Sequence, residues 1–202
     1  AWAVGTAYGG LDTVSTANTT YHVWLIQRSD TGVVDALFSA SATSPTMPAN
    51  YDRKRRIGSI MRVSGAIVPF IQTGDTFVRA VRIQDVSVTN PGTSAVTRTL
   101  SVPTGINVFP FGTVQIELTT SSAVTVSCLL TDLAQTDSDP GTVGGSVTLT
   151  TLSAGGSQRA LSYFSTIKTN TSAQIRSRFN ISGSATNFVL HTEGWVDTRG
   201  RT

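Results

Sequence analysis

The sequence predicts an all-β protein, an antiparallel β-sandwich or jelly roll with two candidate β sub-domains. Three observations predict it. Hydroxyl groups stand where charge usually does: the chain holds 32 Thr and 23 Ser, and charged residues are only 13%, about half the usual share. Val, Ile, Leu and aromatic residues alternate with polar ones in segment after segment, the period of half-buried strands. Clusters of Gly, Pro, Asn and Ser part these segments at intervals of roughly 8–12 residues, as in sandwiches and barrels.

TYHVWLIQR at 20–28 is apolar on both alternating faces, which predicts a strand buried on both sides. SDTG at 29–32 is a turn, and VVDALFS at 33–39 completes a hairpin. Two prolines and no period make 41–52 a loop. RRIGSIMRV (55–63) and AIVPFIQ (66–72) form a strand pair around Ser64-Gly65, with Pro69 marking an edge or bulge. DTFVRAVRI (75–83) and DVSVT (85–89) are further strands, ended by Asn90-Pro91-Gly92.

TRTLSVP (97–103) is a strand and NVFPFGT (107–113) an aromatic Pro/Gly corner. TVQIELTT (113–120) has the cleanest alternation, Val114, Ile116 and Leu118 against Gln115, Glu117 and Thr119. SAVTVSCLL (122–130) is expected to pair with it across Thr120-Ser121, and 132–145 is a long polar loop. Strands follow at 146–152, 159–169, 173–181 and 187–197, and no helix is expected. The softest boundary is NPGTS at 90–94, which divides an N-terminal β-rich region, 1–90, from a C-terminal sandwich region, 95–202. The first region is expected to be incomplete at its start. The expected core comprises Val23, Leu25, Leu37, Phe38, Ile57, Ile60, Val114, Ile116, Leu118, Val126, Phe179 and Trp195.

The bulk numbers exclude several classes. No run of about 18 apolar residues is present, so no membrane insertion through a helix is expected. One cysteine cannot build an internal disulfide framework. The net charge of +3 comes from 13 Arg and 2 Lys against 12 acids, and the Arg residues mostly stand singly. Nucleic-acid binding wants a coherent basic patch, so no nucleic acid is expected as a partner.

No nucleophile elbow, P-loop, HExxH or dinucleotide fingerprint occurs. His22 and His191 lie within strands, and Cys128 lies in an apolar strand, where a thiol packs as a small hydrophobe. Glu117 and Glu193, with Asp35 and Asp75, are the carboxylates from which a glycosidase pair could be drawn, but Glu117 sits on a polar strand face. No catalytic residue, metal ligand or cofactor is therefore assigned. Asp132, Asp137 and Asp139 match no EF-hand spacing, and calcium against plain loop stays open there.

In Arg53-Lys54-Arg55-Arg56, alternation puts Arg53 and Arg55 on one face and Lys54 and Arg56 on the other. Trp2, Tyr8, Tyr21, Trp24, Tyr51, Tyr163 and Trp195 could stack on sugar rings. Tyr21 and Trp24 are expected in the core and Tyr51 exposed. Tyr51, Arg53 and Arg55 are thus the candidate glycan or partner contacts. Arg79, Arg82, Arg176 and Arg178 interrupt apolar strands and are the candidate subunit-interface residues.

YHVWLIQRSDTGVVDALFSASATSPTMPANYDRKRRIGSI at 21–60 resembles a segment frequent in tailed-phage and prophage virion proteins. There a Tyr-His-Val strand leads through a D-x-G hairpin and a VDALFS strand to a P-x-x-Y loop and an R-R-I-G-S-I strand. TSAQIRSRFNISGSATNFVLHTEGWVDTRGRT at 171–202 is similar to the usual ending of that group, a Q-I-R strand followed by G-W-x-D-x-R-G-R. The resemblance implies a β-rich tail-fibre, spike or head-fibre component in the virion, commonly trimeric. Its implied partners are further copies of itself, other virion proteins and a host-surface glycan. The alternative is a polysaccharide depolymerase or other hydrolase domain of a tail spike.

Overall fold

The structure, a computed structural model, describes residues 10–12, 17–151 and 156–199. In chain order the elements are β1 (Thr20–Gln27), β2 (Val34–Ser39), β3 (Arg53–Val63), β4 (Ala66–Ile67), β5 (Phe70–Thr73), β6 (Thr76–Thr89) and β7 (Val96–Thr99). Then come β8 (Phe109–Thr119), β9 (Val124–Thr131), the single-turn α1 (Pro140–Val143), β10 (Val147–Thr151), β11 (Ser157–Phe164), β12 (Gln174–Phe179) and β13 (Thr186–Val196). All strand pairings between these elements are antiparallel. The fold is an all-β sandwich with a smaller sheet attached.

Three sheets result, in the orders β2-β1-β3-β4, β10-β9-β12-β7 and β11-β8-β13-β6-β5. The last two face each other. Val126, Cys128, Leu130, Ile175 and Phe179 from one meet Val114, Ile116, Leu118, Phe188 and Leu190 from the other in one core. Phe179 and Phe188 touch edge to face across the gap, with centroids 5.1 Å apart. On the side where β6 leads to β7, the Arg98 guanidinium lies 5.5 Å from the Phe188 ring centroid, and its Nε donates to Ser177 Oγ. Burial holds the Arg98 pKa below its usual value, and this cation–π contact compensates part of that desolvation.

Alternation read the faces well where a strand is covered on one side. In β8, Val114, Ile116 and Leu118 are buried and Gln115 and Glu117 are half-exposed. Leu37, Ile60, Val126, Phe179 and Trp195 are also buried, as expected, and so are Tyr21 and Trp24. Val23, Phe38 and Ile57 are only half-buried, and Leu25 is 41% exposed. β1 is therefore not covered on both sides over its length. His22, Trp24 and Ile26 form its inner face, and the other face is covered at Tyr21 but open at Leu25 and the cross-strand Arg55.

Pairing departs from the sequence reading in three places. β8 and β9 do not form a hairpin: β8 pairs β11 and β13, while β9 pairs β10 and β12. Residues 120–123 carry the chain from one sheet to the other. The segment 107–113 is not a corner throughout, because β8 begins at Phe109 and takes Pro110 opposite Trp195. The segments 75–83 and 85–89 are one strand, β6, which pairs β13 of the C-terminal region. Asn90–Ser94 is thus a connection inside the sandwich, and the change from the small sheet to the sandwich falls near Pro69, between β4 and β5.

Gly194 marks the tightest approach in β13. A Cβ there would lie 2.2 Å from Phe77 O and 2.3 Å from a Phe111 ring carbon. The next residue, Trp195, stacks on Phe77 with centroids 5.3 Å apart. Phe70 completes this group at 5.5 Å from Phe77 and also packs on the small-sheet cluster of Leu11, Tyr21 and Ile60. The aromatic group therefore cements the small sheet to the end of the sandwich.

Candidate functional site

The junction between the small sheet and the sandwich is built around a buried ion pair. Arg56 on β3 donates from both terminal nitrogens to Asp197, at 2.6 and 2.7 Å. The two side chains are only 11% and 2% exposed. Such a pair is strongly held once formed, because losing either partner strands a desolvated charge. Arg56 also donates to Ser59 Oγ at 3.2 Å, and Ser59 Oγ lies 3.0 Å from His22 Nδ1. With Arg56 supplying a proton to that oxygen, the hydroxyl is placed to donate to Nδ1, leaving the ring proton on Nε2.

His22 is wholly buried, and its Nε2 makes no hydrogen bond of regular geometry among the described residues. Burial, then the positive Arg56, lowers its pKa to about 4, while Asp197 and the Thr104 backbone pull more weakly the other way. It is a neutral imidazole at neutral pH. Gly105 lies over it: its φ of +82° is left-handed, and a Cβ there would sit 3.0 Å from His22 Nε2. Thr104 joins the same seam, its backbone N–H donating to Thr20 Oγ1 at 2.9 Å.

Above this seam opens a cleft of about 770 Å³, within the size range of small-ligand sites. One wall carries Thr43 and Arg56; the other is formed by Gly105, Ile106, Asn107, Phe109, Lys168 and Asp197–Arg199. Two loops of the sandwich are laced together beneath it. Gly105 N donates to Thr171 O at 2.7 Å, Thr169 N to Val108 O at 2.9 Å, and Asn107 Nδ2 to Thr169 O at 2.6 Å. Arg199 donates to Gly74 O and pairs with Asp75, which anchors the last described residues.

The residues singled out in the sequence are dispersed. Arg53 and Arg55 are exposed on the open face of the small sheet, near Leu25 and Val34, without a hydrogen bond or ion pair among the described residues. Lys54 turns to the other face, 5.8 Å from the Trp24 ring, as alternation requires. Tyr51, expected to be exposed, is half-buried against Trp24, Ile26 and Leu37. The most exposed aromatic among the described residues is Tyr163, 74% exposed on β11. Trp2 and Tyr8 lie outside the described residues.

Three of the four interface arginines spend their forks inside the chain. Arg79 donates to Val81 O and Ser101 O, and Arg176 to Gln135 O and Leu133 O. Arg178 pairs with Asp137. The last two fasten the 132–139 loop across the outer face of β12. Only Arg82 is exposed and without such a partner among the described residues. Asp132 accepts from Ala134 N and Gln135 N, and Asp139 caps α1 through Gly141 N, so the three loop aspartates have separate local roles. They do not converge on a metal.

Glu117 accepts from Ser157 Oγ and faces Arg159 at 3.5 Å. It lies opposite Asn187, six positions from Glu193 along β13, a backbone distance of about 20 Å. That exceeds the separation two glycosidase carboxyls require. Cys128 is fully buried, and burial pushes its thiol pKa well up, away from a nucleophile's range. Sequence reading missed Asn107, Lys168 and Arg199, because each stands alone in a loop and only the tertiary fold gathers them.

No family model, no curated protein and no solved structure matches this chain.

Proposed function

We propose that the chain is a structural component of a tailed-phage particle, of tail-fibre, spike or head-fibre type, exposed on the virion and contributing to attachment at a host-surface glycan. The observation that carries the reading is where the two phage-like motifs meet. Arg56 of R-R-I-G-S-I and Asp197 of G-W-V-D-T-R-G, 141 positions apart, form the bidentate pair at the junction. The residues behind the resemblance are thus those that join sheet to sandwich. Segments likened to the two ends of one virion fold would be expected to meet in this way.

Assembly as a homo-oligomer, a trimer by this reading, is favoured by the surface of β5 and β6. Ile71 is 66% and Val81 76% exposed, with Val78 and Ile83 also exposed beside the unpartnered Arg82. Apolar side chains with an adjacent free guanidinium suit a face that other copies cover. Two measurements test the proposal. Mass spectrometry of purified particles should find the chain, and its absence from particles of the source phage or induced prophage would refute the virion assignment. Light scattering should give three times the chain mass; a clean 21.3 kDa species would refute self-assembly of this chain.

A further inference from the structure

The geometry points to the junction cleft as a binding site for a saccharide that carries an anionic group, a carboxylate or a phosphate. This rests on the glycan-attachment reading above and names the ligand class and the place. Five observations carry it. The cleft is large enough for one or two sugar rings. Its free positive charge is Lys168, since Arg56 is paired with Asp197, 2% exposed beneath the guanidinium, and Arg199 with Asp75. Lys168 is exposed and has no hydrogen bond or ion pair among the described residues, so its ammonium is available to an anion. The floor is prepared for a sugar by Asn107, whose amide nitrogen is anchored on Thr169 O, leaving its Oδ1 to accept from a hydroxyl. The half-buried Phe109 supplies an apolar wall for sugar C–H groups.

The support is rigid. Backbone bonds from Gly105 to Thr171 and from Thr169 to Val108 hold Asn107 and Lys168 on loops that do not need to be ordered on binding. Arg56 and Arg199 are neutralised by Asp197 and Asp75 and frame the cleft rather than bind the anion. Lys168 is therefore the direct charged contact and Asn107 the orienting one.

Amide chemical-shift mapping on the full chain tests this with four probes: a hexuronate trisaccharide, a phosphorylated trisaccharide, the neutral trisaccharide, and inorganic phosphate alone. At least one acidic trisaccharide should shift Gly105–Phe109, Lys168 and Arg199 and bind roughly tenfold more tightly than the neutral one, the worth of one charge-assisted contact. Whichever acidic arm binds more tightly identifies the anionic group. Lys168→Arg should retain binding, and Lys168→Glu should abolish it without moving the melting temperature, because Lys168 is exposed. Equal binding of the neutral sugar, shifts confined to another surface, unchanged binding by Lys168→Glu, phosphate alone binding as tightly, or no binding at millimolar sugar would each overturn the inference. Finding the chain in particles is independent of these outcomes, so a failed cleft leaves the virion reading standing, and the reverse.

Discussion

Lowering the pH from 6.5 toward 4 should loosen this protein, and His22 is the reason. In the unfolded chain the ring takes a proton near its ordinary value of 6.5; in the folded chain burial and Arg56 lower its pKa to about 4. Between these values the unfolded state binds a proton that the folded state refuses. Stability is thus at its full value above pH 6.5, falls as the pH drops toward 4, and loses nothing more from this group below that. A difference of about two and a half units corresponds to roughly 3 kcal/mol, at 1.36 kcal/mol per unit. Asp30 and Asp52 are held below their usual range by Arg28 and by Ser29 respectively. Their losses therefore fall below the His22 window. Urea unfolding from pH 7.5 to 4.5, with His191→Gln as background to leave one histidine, should show the decline. Adding His22→Gln should flatten it. Ring-proton NMR of the same protein provides a check that does not depend on the variant folding. Equal slopes with and without His22, or a ring that titrates near 6.5, would refute the reasoning.

Other substitutions follow from the same structure. Asp197→Asn leaves the Arg56 guanidinium buried without its counter-charge and should cost about 3–5 kcal/mol in urea unfolding. The double variant Arg56→Met/Asp197→Leu should cost less than that single change, since no charge is stranded. Ile116→Ala, in the centre of the sandwich, should cost about 2–5 kcal/mol. Leu25→Ala, on the open face of β1, should cost about 1 kcal/mol or less; equal costs would show that β1 is covered on that side. Gly105→Ala forces a side chain into a left-handed position above His22 and should lower stability by roughly 1–2 kcal/mol, read as a fall in melting temperature.

Period-two alternation is a local property, and what it could decide was decided in the sequence. Val114, Ile116 and Leu118 had to share a face once 113–120 was extended, and they are buried together. The split of Arg53 and Arg55 from Lys54 and Arg56 followed from the same geometry. Ser64-Gly65 and the 29–32 turn joined neighbouring strands because short turns leave the chain no other partner. Choice of partner is not local. Nothing in 120–123 says that β9 crosses to the other sheet, since a four-residue connection serves a hairpin or a crossing, and closure of the common core selects between them. Exposure of Leu25 and burial of Tyr51 depended on which surfaces found a cover. The acceptors of Arg79, Arg176 and Arg178 are distant in sequence and were set by the fold: Ser101 O, Leu133 O, Gln135 O and Asp137. The site shares that character. Arg56, Lys168 and Asp197 carry no spacing signal, and only the packing of the small sheet on the end of the sandwich brings them to one cleft above the buried His22.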